Sequence, residues 1–285
     1  MRKSVRQVNA AGGGTSGAAD LHDKVIMITG ASRGLGRAMA EGLARRGAML
    51  VLIARAGSEA TMQATLDCIA AAQPDCPTLA LYGDISNDND CARFVHDARA
   101  RFGRLDALIN NAGQGMDAAG ALAAGKRRFD QIDPALWRSM IDININGTWL
   151  MTRAALPGML EQGWGRIINL STSYATMTKP GFAPYGPSKA AVESMTVIWA
   201  RELEGSGVTA NLLLPGGGSD TDMMPAQDWP DRSLLIPPVA MVAPAAWLCS
   251  DASRAVTGMR VVAKSWDATL PDDQAAAAAI APGAW

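Results

Sequence analysis

The sequence predicts an α/β fold, a doubly wound domain in which helices cover both faces of one parallel sheet. Three observations predict it. Short, continuous apolar runs, typical of strands that are buried on both faces, recur along the 285 residues. Stretches with helical periodicity lie between these runs, and this alternation implies parallel strands joined by crossovers. The first run leads into a glycine-rich turn that is followed directly by a helical pattern. We expect a single domain with a sheet of about seven strands.

The first half of the chain contains four of the predicted strands. In the first helix, Leu35, Met39 and Leu43 recur every four residues and form an apolar face. Ser58 is positioned to cap the second helix. The strands are predicted at 25–28, 49–53, 78–82 and 105–110, and the helices at 35–46, 58–72 and 91–102.

The second half contains one long helical pattern, three further strands and an alanine-rich end. The long helix, 137–159, is predicted to start at Asp133-Pro134. It includes Asn144, Asn146 and Gly147, which are unfavourable inside a helix and therefore indicate a functional site or a tight packing contact. The remaining elements are strands at 165–171, 208–214 and 256–262, a helix that begins at Tyr185, and a helical segment at 272–280.

The ends of the chain differ in composition from its centre. We predict a flexible tail at 1–20, a main domain at 21–267 that carries a lid at about 217–242, and a C-terminal extension at 268–285. The tail has no apolar core and so does not read as a secretory signal. Residues 114–131 are predicted to form a loop beside the site. Its basic cluster, Lys126-Arg127-Arg128, is interpreted as a solvated face, with contact to an anionic substrate as the alternative.

Charge and composition exclude several classes of partner. The formal net charge is −1 and no basic stripe with interleaved aromatic residues is present, which argues against nucleic-acid binding. No apolar run is long enough to span a bilayer. His22 and His96 have no neighbouring ligand at metal-site spacing, so we expect no metal. The four cysteines are widely spaced, which indicates unpaired thiols in a reducing, cytoplasmic compartment.

The turn after the first strand is predicted to bind phosphate. Glycines at 30, 34 and 36 let the backbone turn and approach a ligand closely. The unpaired N–H groups at the start of the following helix point at the same place and favour anions. The spacing, GxxxGxG, departs from the commonest dinucleotide fingerprint, and a glycine-rich turn that binds nothing is the alternative.

The end of the second strand indicates which dinucleotide binds. In such folds an acidic residue at this point holds the ribose 2′-hydroxyl, whereas an arginine suits a 2′-phosphate. Here the strand ends in Ala54-Arg55, with Arg33 in the glycine turn. NADP(H) is therefore favoured over NAD(H). The alternative is that Arg33 and Arg55 are ordinary solvated charges.

A tyrosine and a lysine follow the fifth strand at helical spacing. Tyr185 and Lys189 are four residues apart and so lie on one face of a helix. A phenol with a pKa near 10 is a poor acid or base at neutral pH, but a nearby ammonium lowers that pKa toward the working range. We therefore predict that Tyr185 is a general acid/base and that Lys189 adjusts its pKa.

Taken together, these motifs resemble those of the short-chain dehydrogenase/reductase family. The resemblance covers about residues 22–262 and implies one Rossmann-type catalytic domain, a nicotinamide cofactor, and hydride transfer between a carbonyl and an alcohol. The matching motifs, in chain order, are TGASRGLG at 29–36, NNAG at 110–113, Asn144 in its NING setting, YGPSK at 185–189 and Pro215-Gly216.

The resemblance also implies roles for individual residues. Lys189 would hold the nicotinamide ribose in addition to acting on Tyr185, and Asn144 would hold a water in a proton relay behind Lys189. The residues implied to contact the cofactor phosphates, riboses, adenine or carboxamide are Gly30, Ser32, Arg33, Gly34, Leu35, Arg55, Asp84, Ile85, Asn111, Ala112, Gly113, Tyr185, Pro215, Gly216 and Thr221.

The sequence departs from the family pattern at two site positions. Thirteen residues before Tyr185, where the family has a serine that polarises the substrate oxygen, this chain has Thr172. Threonine keeps the hydroxyl donor, and the neighbouring Ser173 is the alternative if the register is shifted. After Pro215-Gly216 the family threonine is reached only at Thr221, one residue late, in a glycine-rich loop.

The resulting prediction is an NADP(H)-dependent ketone or aldehyde reductase, or the reverse secondary alcohol dehydrogenase, without a metal. Tyr185 would protonate the substrate oxygen and Thr172 would stabilise the developing charge. A catalytically impaired regulatory or scaffold protein of the same fold is the alternative. Because many relatives are tetramers, the resemblance also implies a homo-oligomer, a tetramer or a dimer.

Overall fold

The strands form one sheet in a computed structural model of the protein, which describes residues 19–115, 128–224 and 229–283. Across that part of the chain the strand order is β3-β2-β1-β4-β5-β6-β7-β8; β1 to β7 are parallel and β8 runs antiparallel to β7. The strands are β1 Val25–Thr29, β2 Met49–Ala54, β3 Thr78–Tyr82, β4 Ala107–Asn110, β5 Gly165–Leu170, β6 Val208–Leu214, β7 Met259–Val262 and β8 Ile280–Pro282.

The predicted α/β fold class is confirmed, because helices cover both faces of this sheet. Alternate side chains of β1 enter different cores: Ile26 and Ile28 pack with α1, α8 and α9, whereas Val25 and Met27 pack with α3 and α5. The helices are α1 Gly34–Ala44, α2 Glu59–Ala72, α3 Asp88–Phe102, α4 Pro134–Ile141, α5 Thr148–Gln162, α6 Tyr174–Met177, α7 Tyr185–Glu202, α8 Val242–Leu248 and α9 Asp272–Ala279.

The long helix predicted at 137–159 is interrupted. A π-helical segment, Asp142–Gly147, separates α4 from α5, and Asp133 caps α4 by accepting a hydrogen bond from the Ala135 N–H. The segment packs tightly, since a Cβ added to Gly147 would lie 2.8 Å from Ile85 Cδ1. The unfavourable residues in this stretch therefore mark a local change of helix type, of the kind that is frequent at functional sites.

Other element ends also differ from the sequence predictions. Ser58 forms no side-chain cap on α2, whereas Asn87 caps α3 by accepting from two backbone N–H groups, so α3 begins before the predicted Cys91. The extension predicted to be helical at 272–280 ends as β8, which adds an eighth strand to the predicted seven. Its alanines, Ala275, Ala276 and Ala279, are buried against the core.

Several predictions lie partly outside the described residues. These are the tail up to residue 18, residues 116–127 of the predicted loop with Lys126 and Arg127 of its basic cluster, residues 225–228 of the lid, and residues 284–285 of the extension. The division into tail, catalytic domain and extension stays a prediction. Over the described ranges, none of the helices combines the length and the apolar character that crossing a bilayer requires.

Candidate active site at the carboxyl edge of the sheet

The site is built from the loops that follow the parallel strands. The glycine turn after β1, the NNAG loop after β4, the hydroxyl-bearing segment after β5 and the loop after β6 all leave the sheet at its carboxyl edge. The strand order reverses direction between β1 and β4. In open α/β sheets, ligands bind at the carboxyl edge at such a point.

The glycine turn presents an open helix start. Gly30 (φ +66°) and Gly34 (φ +57°) adopt left-handed conformations that a side chain would strain. Arg33 at the start of α1 offers no side-chain acceptor to the first helical N–H groups, and the first turn of α1 contains no acidic residue. Those N–H groups are therefore available to an anion, so the turn fits the pyrophosphate of a dinucleotide. A Cβ on Gly36 would lie 2.3 Å from the Gly30 carbonyl oxygen, which fixes α1 closely against the turn.

The NNAG loop is tied to the glycine turn by hydrogen bonds. Thr29 Oγ1 accepts from the N–H groups of Asn111 and Ala112, both at 3.0 Å. The Asn111 amide donates to the carbonyl oxygens of Thr29 and Gly30 at 2.9 and 3.0 Å. The two segments predicted to flank the cofactor are thus one rigid unit. Thr29, which the sequence identifies only as the first residue of the TGASRGLG motif, joins the two segments.

The predicted adenine and ribose contacts lie at the rim. Ile85 is buried against the π-helical segment, while Asp84 is exposed and accepts from the Ser86 backbone and hydroxyl groups. Arg55 is exposed just beyond β2. Arg33 is also largely exposed and lies 3.9 Å from the Asp222 carboxylate of the loop after β6.

Asn144 is fixed by three hydrogen bonds. Its Oδ1 accepts from the Gln114 N–H at 2.8 Å, and its Nδ2 donates to the Gln114 carbonyl and to Ser188 Oγ, both at 3.0 Å. A Cβ on Gly113 would lie 3.1 Å from Asn144 Oδ1 and 3.8 Å from Lys189 Nζ. The π-helical segment, the NNAG loop and α7 therefore meet at this point. Gln114 and Ser188, which hold Asn144, were not anticipated.

Burial governs the titration of Lys189 and Tyr185. Lys189 Nζ donates to the Leu170 carbonyl at 2.8 Å, and burial lowers its pKa to about 8. Burial raises the pKa of Tyr185 to about 12, and a hydrogen bond with the Thr172 hydroxyl opposes this rise. The expected lowering of the Tyr185 pKa by Lys189 is therefore wrong for this structure. Helical spacing predicts that the two side chains are close, but desolvation has the largest effect on the Tyr185 pKa, and Lys189 is not among the groups that shift it.

The two candidate hydroxyls have different surroundings. The Thr172 hydroxyl forms the hydrogen bond with Tyr185. Ser173 Oγ instead accepts from the Thr176 N–H at 3.2 Å and lies 2.9 Å from Thr176 Oγ1, so it caps α6.

The loop after β6 reaches back over the glycine turn. Gly216 (φ +94°) packs on Val262 of β7, and a Cβ on Gly34 would lie 3.3 Å from the Thr221 methyl group. Arg232 holds this loop together: it pairs with Asp220 and donates to the carbonyl oxygens of Met224 and Thr221 at 2.9 and 3.2 Å. Pro215 is buried, and its carbonyl accepts from the Lys264 N–H at 2.9 Å.

A buried ion pair beside the hydroxyl-bearing segment was missed from the sequence. Arg260 of β7 and Glu193 of α7 are buried, and Arg260 Nη1 lies 2.9 Å from Glu193 Oε1. A signal was present, because Glu193 follows Lys189 at the same spacing of four that separates Lys189 from Tyr185. Three polar residues on one helix face beside a sheet predict a shared buried site.

Comparisons with known proteins agree with this arrangement. Residues 24–230 match the family model described as short chain dehydrogenase. A short chain dehydrogenase of Monascus purpureus is 32% identical over 251 residues, which cover 86% of this chain and 82% of that protein. A 3-oxoacyl-[acyl-carrier-protein] reductase of Synechocystis is 35% identical over 193 residues, covering 68% and 73% of the two chains.

Solved structures resemble the chain over most of its length. A short chain dehydrogenase of Shigella flexneri, complexed with NADP, superposes with a TM-score of 0.76 at 28% identity and covers 87% of this chain and 100% of that one. Levodione reductase gives a TM-score of 0.74 at 27% identity, covering 85% and 96%.

Proposed function

The chain belongs to the short-chain dehydrogenase family and is an oxidoreductase of that family, and from this premise we propose that it reduces a ketone or aldehyde with NADPH. The observation that carries the proposal is the hydrogen-bonded pair of Tyr185 and Thr172, next to the Lys189 ammonium and at the same sheet edge as the open glycine turn. A proton donor and a hydride site are needed side by side for carbonyl reduction.

The glycine turn, Asn111 and Lys189 would hold the dinucleotide. Its pyrophosphate would lie at the open start of α1, and Lys189 would hold the nicotinamide ribose. When bound, the cofactor supplies the hydride that adds to the carbonyl carbon. Gly216 and Thr221 are proposed to contact its nicotinamide end, because the loop after β6 folds back toward Gly34.

Tyr185 is proposed to donate its proton to the substrate oxygen. With a pKa of about 12 the phenol is protonated at neutral pH, which suits donation to an oxygen that gains negative charge. The Thr172 hydroxyl would hydrogen-bond the same oxygen and stabilise that charge. Lys189, with a pKa of about 8, is mostly protonated at pH 7. Asn144, beside it, is proposed to hold a water in a proton relay behind Lys189, which would return a proton to Tyr185.

Thr172 is proposed over Ser173 as the polarising residue, because Ser173 already caps α6. Thr172→Val removes only the hydroxyl and should lower kcat about 100-fold, the usual effect of losing one such donor. Thr172→Ser should retain activity. The matched control, Ser173→Ala, should retain kcat; the opposite ranking of the two variants would assign the role to Ser173.

NADP(H) is proposed over NAD(H) because Arg55 and Arg33 are exposed at the rim and β2 ends without an acidic residue. Titration of cofactor fluorescence with NADPH and NADH tests this. Arg55→Asp should reverse the preference, whereas Arg45→Asp, the same charge change at the far end of α1, should not. Equal affinity for both cofactors would contradict the proposal.

The activity itself is tested on a panel of carbonyl compounds. The panel includes cyclic diketones and 3-oxoacyl thioesters, since levodione reductase and the 3-oxoacyl-[acyl-carrier-protein] reductase are among the similar proteins. NADPH oxidation should depend on the carbonyl compound and vanish in Tyr185→Phe, with NADPH binding retained. Cofactor binding without turnover on any compound would favour the regulatory alternative.

Self-association is proposed through α5 and α7. Trp149, Leu160 and Ile198 expose 46%, 44% and 49% of their surfaces on these helices, which gives the helices apolar surface for a second copy of the chain. Light scattering that gives a monomer would contradict this. The cytoplasmic location stays a prediction.

A further inference from the structure

The segment that carries Thr172 leaves the sheet before it reaches the next helix. The Ser171 N–H donates to the Leu213 carbonyl at 3.0 Å, in line with the pairing of β5 and β6, and α6 begins only at Tyr174. The orientation of the Thr172 hydroxyl therefore depends on what holds the backbone between these two points.

Arg260 contacts this backbone from two strands away. Its Nη2 donates to the Thr172 carbonyl at 3.0 Å, and its guanidinium lies 3.7 Å from the centroid of the Tyr174 ring. One planar group thus holds the carbonyl of the residue that bonds Tyr185 and stacks against the side chain two residues later. Arginine suits this task because its donors are rigid and it stays charged.

Glu193 fixes the guanidinium in turn. Arg260 Nη1 lies 2.9 and 3.0 Å from its two carboxylate oxygens, and Ser171 Oγ donates to Oε1 at 2.7 Å. Glu193 is fully buried on the face of α7 that carries Tyr185 and Lys189. The network therefore links the proton donor's helix, the hydroxyl-bearing segment and β7.

The energetics argue against a purely structural role for this pair. A buried ion pair is often no more stabilising than apolar side chains of the same volume, because both charges lose their hydration. Apolar residues at these positions would fill the space but could not hold the Thr172 carbonyl. We propose that Arg260 and Glu193 are positioning residues that fix the Thr172 hydroxyl against Tyr185; this rests on the proposed role of Thr172.

The test needs a variant that removes the network and still folds. Removing one partner alone would leave a buried charge unpaired, which is strongly destabilising. We therefore combine Ser171→Ala, Glu193→Met and Arg260→Met in one apolar variant, whose melting temperature should be near that of the wild type. Arg166→Met is the matched control, because Arg166 is also a buried arginine of the sheet. It lies at the amino end of β5, where it donates to the carbonyl oxygens of Ser250, Gly165 and Gly207.

The expected result is a loss of kcat with little change in KM. NADPH-dependent reduction of the panel compound that the wild type turns over fastest should fall about 10- to 100-fold in kcat in the apolar variant, as a small misplacement does. KM for NADPH should stay within about threefold. Arg260→Lys, which keeps the charge but not the fork of donors, should give an intermediate kcat. Arg166→Met should keep wild-type kcat.

A double-mutant cycle separates positioning from a general effect. If the network acts through the Thr172 hydroxyl, the apolar changes should not lower kcat further once Thr172→Val is present. An equal loss in both backgrounds, or unchanged kcat in the apolar variant, would overturn this inference and leave the proposed function intact. Wild-type kcat in Thr172→Val alone would instead show that the proposed role of Thr172 has failed.

A second measurement does not depend on turnover. With ¹³C-labelled threonine methyl groups, the Thr172 resonance, assigned through Thr172→Ser, should shift and broaden in the apolar variant. It should stay in place in Arg166→Met. An unchanged Thr172 resonance in the apolar variant would contradict the positioning role.

Discussion

Lys189 offers a sharp test because its charge is predicted to cost stability. Its pKa falls from an ordinary 10.5 to about 8 on burial. Each tenfold change in a protonation equilibrium corresponds to about 1.4 kcal/mol, so keeping this ammonium charged in the folded protein costs about 3 kcal/mol at neutral pH. Lys189→Met removes that cost but also the hydrogen bond to the Leu170 carbonyl, worth about 1 kcal/mol. We expect a net stabilisation of about 2 kcal/mol at pH 7, together with loss of turnover.

The sign of the pH dependence follows from the same pKa values. Between pH 8 and 10.5 the unfolded lysine binds more protons than the folded one, so the penalty is fully present below pH 8 and disappears as the pH rises toward 10.5. At pH 9.5 the remaining penalty is about 1 kcal/mol, which the lost hydrogen bond offsets. Wild type and Lys189→Met should then be equally stable.

The assay is urea unfolding of both proteins at pH 7 and pH 9.5, at one protein concentration because self-association is expected. Comparing the two proteins at each pH cancels the other titrating groups. Lys179→Met, at an exposed lysine, is the control and should change stability equally at both values. A Lys189→Met protein that is less stable than the wild type at pH 7, or a difference that does not vary with pH, would refute the reasoning.

Three further predictions concern other parts of the chain. Gly36→Ala should weaken NADPH binding more than about tenfold in fluorescence titrations, because its Cβ would lie 2.3 Å from the Gly30 carbonyl oxygen. Gly103→Ala strains a left-handed glycine (φ +77°) at the end of α3 but adds no contact within 4 Å, so it should bind NADPH normally. Asn144→Leu should lower the free energy of unfolding by about 2–4 kcal/mol, since it leaves the Gln114 backbone groups unpaired; no loss in urea titrations would show that these groups find other partners. Deleting residues 268–285 should lower the melting temperature by at least about 5 °C, because α9 covers the core; an unchanged transition in calorimetry would contradict this.

Most of the fold could be predicted because most of the parallel strands are buried on both faces. Such strands appear as continuous apolar runs, and all seven predicted ones are found with small changes in their ends. What failed depends on contacts between distant segments. The break in the helix at Asp142–Gly147 reflects packing against Ile85, and β8 forms only because β7 offers an edge for pairing. Neither partner is local in sequence.

The site could be predicted only as far as its motifs are local. The glycine turn and the spacing of Tyr185 and Lys189 each lie within one element, so the sequence alone identifies them. The raised pKa of Tyr185 could not be foreseen, because it depends on how far the folded chain, rather than the local sequence, desolvates the phenol. The Arg260–Glu193 pair was missed for a related reason: its partners are 67 residues apart and meet across β6.

The two buried cations beside the site differ in a way that matches their proposed roles. Arg260 faces the Glu193 carboxylate and presents a planar, rigid set of donors, which suits a fixed anchor. The pKa of Lys189 is lowered by burial to about 8, which leaves its proton exchangeable near neutral pH. A group that is proposed to pass protons toward Tyr185 needs such a pKa, whereas a group that is proposed to hold the Thr172 backbone needs rigid donors. The cost of burying a charge therefore falls mainly on Lys189, whose proposed role needs a lowered pKa. At Arg260 the Glu193 carboxylate offsets that cost.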